Sequence, residues 1–351
     1  MSLQRRTVLV TGISGNLGIR LLPLLSDFHV VGVDVRPPSF VSGELEFHAI
    51  DLGREASCPE LTQLLRQTQA YSVIHLSFIL DPQRSGVLDL ERMWQINVAG
   101  TARLMEAISI VNRTGGAVKR FIFPSSVSAY GPETPGPVRE DAPLGAYGLP
   151  YAVHKKESDE VVRYRAESLG DCRVYILRPH IFAGATMQNY MVGVLRGTPL
   201  GKSKRAARMR AEGKRLPLML PRGKEYLGKK VQFVHVDDVA RLLTYLLYRP
   251  LTDPPVTILN VTGRGEALTF ERCAEIAHAQ VKRAPNRTAF VLALQALWKL
   301  GISSIPPEAS PYLIGSYTMD TTRLQEFLGP HYPEVIRYTI EDALRDTFAK
   351  N

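Results

Sequence analysis

Three residues suggest chemistry first in this chain of 351 residues: Ser126, Tyr151 and Lys155. Tyr151 and Lys155 lie four apart at the start of a predicted helix, a spacing that brings both side chains onto one helical face. An ammonium beside a phenol favours the phenolate, drawing the phenol down from about 10 toward a range where it can take a hydroxyl proton. Ser126 lies in Pro124-Ser125-Ser126-Val127-Ser128-Ala129-Tyr130-Gly131, just after a strand-like run, and its hydroxyl could hold a substrate alcohol while Tyr151 acts as general base. The spacing by itself is weak, because Tyr226 and Lys230 repeat it in a glycine-containing stretch where no helix is expected to align them.

A second stretch is suited to gripping an anion. Thr11-Gly12-Ile13-Ser14-Gly15-Asn16-Leu17-Gly18 follows the apolar run Val8-Leu9-Val10 and opens a helix-like segment, Asn16 to Ser26. Glycines at a spacing of three let the backbone turn tightly and approach a pyrophosphate, and the helix N-terminus offers it free N–H groups. An ordinary glycine-rich strand-to-helix turn is the lesser alternative for the motif alone. Asp34, twenty-two residues after Gly12, ends the second predicted strand, where a carboxylate accepts from the adenosine ribose hydroxyls of NAD. A 2′-phosphate there would meet like charge, although Arg36 leaves some room for NADP. Asp51 and Leu52, just past the third strand, are placed to reach the adenine amino group or, equally, to form a turn ahead of Gly53.

The elements that must hold these residues alternate between short apolar runs and helical patterns from residue 7 to about 180, which predicts an α/β fold with a doubly wound parallel sheet. Strands are expected at Val8–Val10, His29–Val33, Phe47–Ile50, Val73–Leu76, Arg120–Phe123 and Arg173–Leu177, each of the fully buried type. Helices are expected at Leu88–Val111 and Tyr151–Leu169. Past residue 180 the alternation breaks into Gly-, Pro- and Lys/Arg-rich loops. A strand-like run, Gln232–Val236, then leads into a helix begun by Asp237 and Asp238, and another follows at Val256–Val261. We expect a nucleotide-binding unit at 1–180 and a smaller, mainly substrate-binding unit at 181–351, with segments of 232–261 packing back on the first.

With 45% hydrophobic and 22% charged residues the chain can build a sizeable core, which excludes a disordered protein. Three widely spaced cysteines suggest neither a disulfide framework nor a Cys-type zinc site, and fit a reducing, cytoplasmic compartment. No apolar core of a secretion signal follows the basic start. The apolar run Phe290–Ile302, interrupted by Gln295 and Lys299, is too short for a membrane span. Of the formal charge of +9, much is local: residues 202–215 hold seven Lys or Arg and one acid, Glu212, a net of +6. This reads as a solvated loop or a phosphate-attracting patch. Nucleic acid is not expected, since no aromatic residue is interleaved.

Together, Thr11-Gly12…Gly15…Gly18, Asp34, Asp51-Leu52, His75-Leu76, Asn97-Val98…Gly100-Thr101, Ser125-Ser126…Tyr130-Gly131, Tyr151…Lys155, Arg178-Pro179 and His235-Val236-Asp237-Asp238 resemble the extended short-chain dehydrogenase/reductase family. More narrowly, they resemble its NAD-dependent epimerase/dehydratase branch, near the UDP-glucose 4-epimerase-like subgroup, and the resemblance covers nearly the whole chain. It implies a Rossmann domain with bound NAD, a catalytic Ser126, Tyr151 and Lys155, and a homodimer formed through the 88–111 and 151–169 helices. It further implies that Lys155 holds the nicotinamide ribose, that Asn97 supports the site, and that Leu76, Ser77, Ser125, Pro179 and His180 lie against the cofactor beside Gly12, Ser14, Gly15, Asn16, Leu17 and Gly18. No metal is expected at His235, and His75 and His180 read as structural or pocket-lining.

The chain also departs from that family. The residues after Ser126 are Val127 and Ser128 rather than an acidic pair, which disfavours dehydration. Where sugar-nucleotide epimerases of the family hold a diphosphate, this chain has Ile181 and Val231, and no arginine between Pro311 and Thr318. Either Lys214, Arg215, Arg222 or Lys229 supplies the anion contacts, or the substrate lacks a diphosphate. The expected function is therefore an NAD-dependent, nucleotide-sugar-epimerase-like hydride transfer at a secondary alcohol. The alternatives are a dehydrogenase of a hydrophobic, steroid- or lipid-like hydroxy compound and, from another class, a dinucleotide-sensing or RNA-binding module without catalysis.

Overall fold

The computed structural model describes residues 5–40, 43–80, 89–116 and 118–349; Leu88, where one predicted helix was expected to begin, lies outside the described residues. The strands β1 (Thr7–Thr11), β2 (His29–Asp34), β3 (Glu46–Ala49), β4 (Ser72–His75), β5 (Arg120–Pro124) and β6 (Arg173–Pro179) are joined by a strand at Val256–Val261. They form one seven-stranded sheet in the order Val256–Val261, β6, β5, β4, β1, β2, β3, and every pairing is parallel. The result is the doubly wound, Rossmann-type sheet that the alternation predicts.

Successive side chains of β1 enter opposite layers. Val8 and Val10 pack with Leu21, Leu25 and Leu243 on one face, while Leu9 packs with Val31, Leu104, Ile108 and Phe121 on the other. With helices covering both faces, Val8, Leu9 and Val10 are all buried, which is why the apolar run is continuous rather than alternating. The edge strand β3 is an exception: it is half-exposed and begins a residue early, because only β2 and one side of the sheet cover it.

A third apolar cluster, around Phe233, Phe270, Phe290, Leu294 and Leu313, lies beyond the sheet. Three two-stranded sheets border it: Phe233–His235 on Ile181–Ala183, Leu268–Thr269 on Lys230–Val231, and Val281–Ala284 on Leu218–Pro221.

Several helices differ from expectation for local reasons. The segment after the glycines is α-helical only over Asn16–Leu21 and tightens to a 3₁₀ turn at Leu22–Leu25, where Pro23 removes an N–H donor. The long helix before β5 is interrupted by a π turn at Gln95–Ala99, between α-helices Leu90–Trp94 and Gly100–Arg113. The basic stretch is not a loop: Lys204–Ala211 is helical, capped by Ser203 Oγ accepting from Ala206 N at 3.2 Å. Tyr226 lies on a one-turn helix, Lys224–Gly228, but Lys230 begins the next strand, so no shared helix aligns that pair.

Candidate active site

β1 and β4 are neighbours while the chain order reverses between them, and the crevice at their carboxyl ends is where open α/β sheets bind ligands. A cavity of about 400 Å³ lies there, lined by the glycine loop, the ends of β5 and β6, and the segments 149–155, 179–191 and 309–317. The loop's glycines are required by space. At Gly12, with φ at +71°, a Cβ would stand 2.5 Å from Ser77 N, and at Gly18 one would stand 2.4 Å from Ile13 O. No side chain caps the N-terminus of Asn16–Leu21, which leaves its first N–H groups facing the cleft. Asp34, at the end of β2, accepts from Ser14 N (3.1 Å) and Val35 N (2.7 Å), so its carboxylate sits beside the loop.

Tyr151 and Lys155 stand in the first turns of the helix Pro150–Arg165, which Pro150 starts with its fixed φ. The Ser126 side chain lies close enough to the Tyr151 phenol to favour its ionised form. Ser126 Oγ accepts from Ser128 N at 3.1 Å and from Ser128 Oγ at 2.9 Å, a second hydroxyl that the sequence did not mark. Lys155 Nζ donates to Pro124 O at 2.7 Å and lies 3.6 Å from the centre of the Phe78 ring, whose edge meets Tyr151. Burial pushes the Tyr151 phenol up to about 12, against a smaller opposing effect from Ser126. The expected lowering by Lys155 is thus not present: burial also drives the lysine down, to about 7, with Asp159 opposing.

This depressed lysine has a consequence for stability. Between pH 7 and 10.5 the unfolded chain holds a proton on Lys155 that the folded chain releases, so stability rises with pH through that window and the full cost is present below it. In NAD-free protein we expect a rise on the order of 3 kcal/mol from pH 7 to pH 9.5. Urea unfolding of wild type and Lys155→Met at both pH values checks it; identical pH dependence in the two proteins refutes the assignment.

Near the cleft, Thr11 Oγ1 contacts His75 Nδ1 at 2.7 Å, and His75 Nε2 contacts Thr101 Oγ1 at 2.9 Å. Thr101 Oγ1 donates to Asn97 O at 2.6 Å, which makes it the acceptor from His75 and assigns the imidazole proton to Nε2. Burial holds His75 neutral, with its pKa at about 3. Asn97, in the π turn, accepts from Ile79 N at 2.6 Å and donates to Ile79 O at 3.0 Å, clamping the segment that carries Leu76, Ser77 and Phe78. Below it, Arg178 pairs through two bonds of 2.9 and 2.8 Å with Asp159, and both side chains are fully buried.

Of the residues singled out in the sequence, Gly12, Gly15, Asn16, Leu17, Gly18, Leu76, Ser125, Ser126, Tyr151, Lys155, Pro179 and His180 line the one cavity. Ser14, Asp34, Asp51, Leu52, Ser77 and Asn97 do not line it. Asp51 makes a turn, accepting from Gly53 N at 2.9 Å, and pairs with Arg92. Leu52 is buried beneath Gly100. His180 is stacked on Tyr317 and bonded to its carbonyl at 2.8 Å. His235 caps the helix Val236–Tyr248 and contacts Asp346 at 3.0 Å; among the described residues no cluster of three metal-ligating side chains exists. None of Lys214, Arg215, Arg222 and Lys229 lines the cavity. Arg20, which the sequence did not mark, joins the glycine-loop helix to Thr186 and Asp237, residues far along the chain.

Residues 8–262 match the NAD dependent epimerase/dehydratase family. This chain belongs to that family. It is 30% identical over 305 residues to a UDP-glucose 4-epimerase of Cyamopsis tetragonoloba, covering 80% of this chain and 82% of the relative. Two solved structures share the fold. The UDP-glucose 4-epimerase of Thermus thermophilus in complex with NAD has a TM-score of 0.66, 20% identity and 97% coverage of both chains. The UDP-glucuronic acid 4-epimerase of Bacillus cereus, in complex with UDP-glucuronic acid and NAD, has a TM-score of 0.65 and 19% identity, covering 97% of this chain and 98% of that one. The family is NAD-dependent, and the residues present fit that cofactor: the loop has no room for a Cβ at Gly12 or Gly18, and the buried Ser125 Oγ in the cleft wall has no protein partner among the described residues. The chain is an enzyme of the extended short-chain dehydrogenase/reductase type.

Proposed function

We propose that this enzyme inverts a secondary alcohol of a sugar-nucleotide-like substrate, with Tyr151 as base, Ser126 as the residue that orients the alcohol, and Lys155 at the inner wall. The convergence of Ser126, Tyr151 and Lys155 on the same cavity as the glycine loop carries this reading. Tyr151 takes the proton of the substrate hydroxyl and returns it when the hydroxyl is re-formed on the other face. Ser126, held by two bonds from Ser128, keeps the reacting oxygen within reach of the phenol. Bound NAD supplies reversible hydride acceptance at the alcohol carbon. Gly12, Gly15 and Gly18 would cradle its pyrophosphate, Asp34 its ribose hydroxyls, and Asn97 would fix the loop through Ile79.

A specific observation favours a second reading, dehydrogenation of a hydrophobic hydroxy compound. Leu80, Leu149, Ile181, Met187 and Leu313 line the cavity, and Lys155 is the one Lys or Arg lining it among the described residues. Incubation with UDP-hexoses, followed by chromatography of the sugars and NADH absorbance, separates the two. We expect an epimer without net NADH; stoichiometric NADH from an apolar alcohol supports the second reading, and no turnover of either class refutes both.

The proposal extends to a cytosolic homodimer with residues 1–180 as the cofactor half. Support comes from three free cysteines and from Leu90, Trp94 and Tyr164, which are exposed on the helices expected to form the dimer. No helix among the described residues is long and apolar enough to cross a membrane.

A further inference from the structure

We propose that the face built from residues 200–205 and 292–300 docks the enzyme on a bilayer containing anionic phospholipid. The helix Arg287–Lys299 turns Phe290 and Leu294 into the core and leaves Leu292 and Trp298 outside at 58% and 39% exposure, with Leu300 beyond its end at 54%. Leu200, 39% exposed, joins them across a tight backbone contact. Gly201 N–H donates to Ile302 O at 2.9 Å and Ser203 N–H to Gly301 O at 3.0 Å. A Cβ on Gly201 would fall 1.9 Å from Gly301 O, so the two segments are held in one rigid unit that only glycine permits.

The basic helix Lys204–Ala211 starts at this contact. Lys202, Lys204, Arg205 and Lys299 are exposed and make no ion pair among the described residues. The other cations of the stretch are engaged: Arg208 and Lys214 meet Glu212, while Arg210 and Arg215 donate to backbone carbonyls. The cations without an ion-pair or hydrogen-bond partner among the described residues therefore lie at the end nearest the apolar residues. Lys204 and Arg205 occupy a first helical turn without acids, where the helix dipole opposes cations. Helix stability gives no reason for them there, whereas an anionic surface does.

Three leucines rimmed by unpaired lysine and arginine form the pattern of a side that enters the headgroup region while its cations meet lipid phosphate and carboxylate. A second copy of the chain, paired face to face, would bring the two cation clusters together. Nucleic acid offers nothing to Leu200, Leu292 and Leu300.

Cosedimentation of the full chain with vesicles tests this. The protein should pellet with vesicles of phosphatidylcholine and phosphatidylserine and remain in solution with phosphatidylcholine alone. The triple variant Lys202→Glu, Lys204→Glu, Arg205→Glu should lower partitioning by about 100-fold or more, and Leu292→Ser with Leu300→Ser by about tenfold or more. Thermal melting and NAD retention identify any variant that has misfolded; Lys202→Gln, Lys204→Gln, Arg205→Gln then replaces it. Absence of vesicle binding, equal binding to both vesicle types, or binding indifferent to the charge changes overturns the proposal. So does capture of single-stranded RNA, or self-association, that the same variants abolish while vesicles go unbound.

Discussion

Replacing Tyr151 with Phe lowers kcat by about 10²- to 10⁴-fold while leaving the fold and NAD affinity intact. Phenylalanine keeps the ring that meets Phe78 edge-on at 5.8 Å, so little packing is lost. Ser126 Oγ keeps its two bonds from Ser128, so no buried acceptor is orphaned. What disappears is the hydroxyl that the proposed mechanism uses to exchange a proton with the alcohol. Steady-state kinetics beside thermal melting decide the point. A fall in kcat of less than about tenfold would remove Tyr151 from the role of base.

Asp159→Ala should destabilise the protein by about 3–5 kcal/mol, a large share of the total stability of a typical domain. Arg178 and Asp159 are both fully buried, and the guanidinium also donates to Tyr130 Oη at 2.7 Å and to the Glu140 carbonyl at 2.9 Å. Removing the carboxylate leaves a charged group in the interior with two bonds lost. The effect reaches the site, because Asp159 lies one turn past Lys155 and Arg178 directly precedes Pro179. Asp159→Leu combined with Arg178→Met should recover most of the loss, since the pair's worth lies in mutual neutralisation. Urea midpoints read both proteins; a loss below about 1 kcal/mol for the single variant contradicts the account.

Much of this was legible in the chain. The continuous apolar runs mark strands covered on both faces, and the glycines, Asp34, Ser126, Tyr151 and Lys155 stand out by spacing within that frame. What was not legible depends on distant partners. The ionisation of Tyr151 and Lys155 follows from burial beneath Phe78 and beside Pro124, so four-residue spacing pointed to the pair but misjudged its electrostatics. Arg20 reads as an ordinary surface residue until the fold brings Thr186 and Asp237 beside it. The basic stretch resembled a loop because its charges hide a single buried contact, Ala206, and because the stop at Gly201 answers to Gly301, a hundred residues away. Asp51 had two equal readings, and its bonds to Gly53 and Arg92 match the turn.

The rod from Leu90 to Arg113 is, in effect, a regular helix that carries one residue too many. An inserted residue turns everything after it by about 100°, so the two halves keep separate phases and each must match its own neighbours. The surplus is put to use at Asn97, whose carbonyl receives Thr101 and Ser158 and whose amide holds Ile79. Shortening the rod by one residue between Gln95 and Ala99 would mend its pitch and loosen the segment above the cleft: the irregular length is part of what holds the site in place.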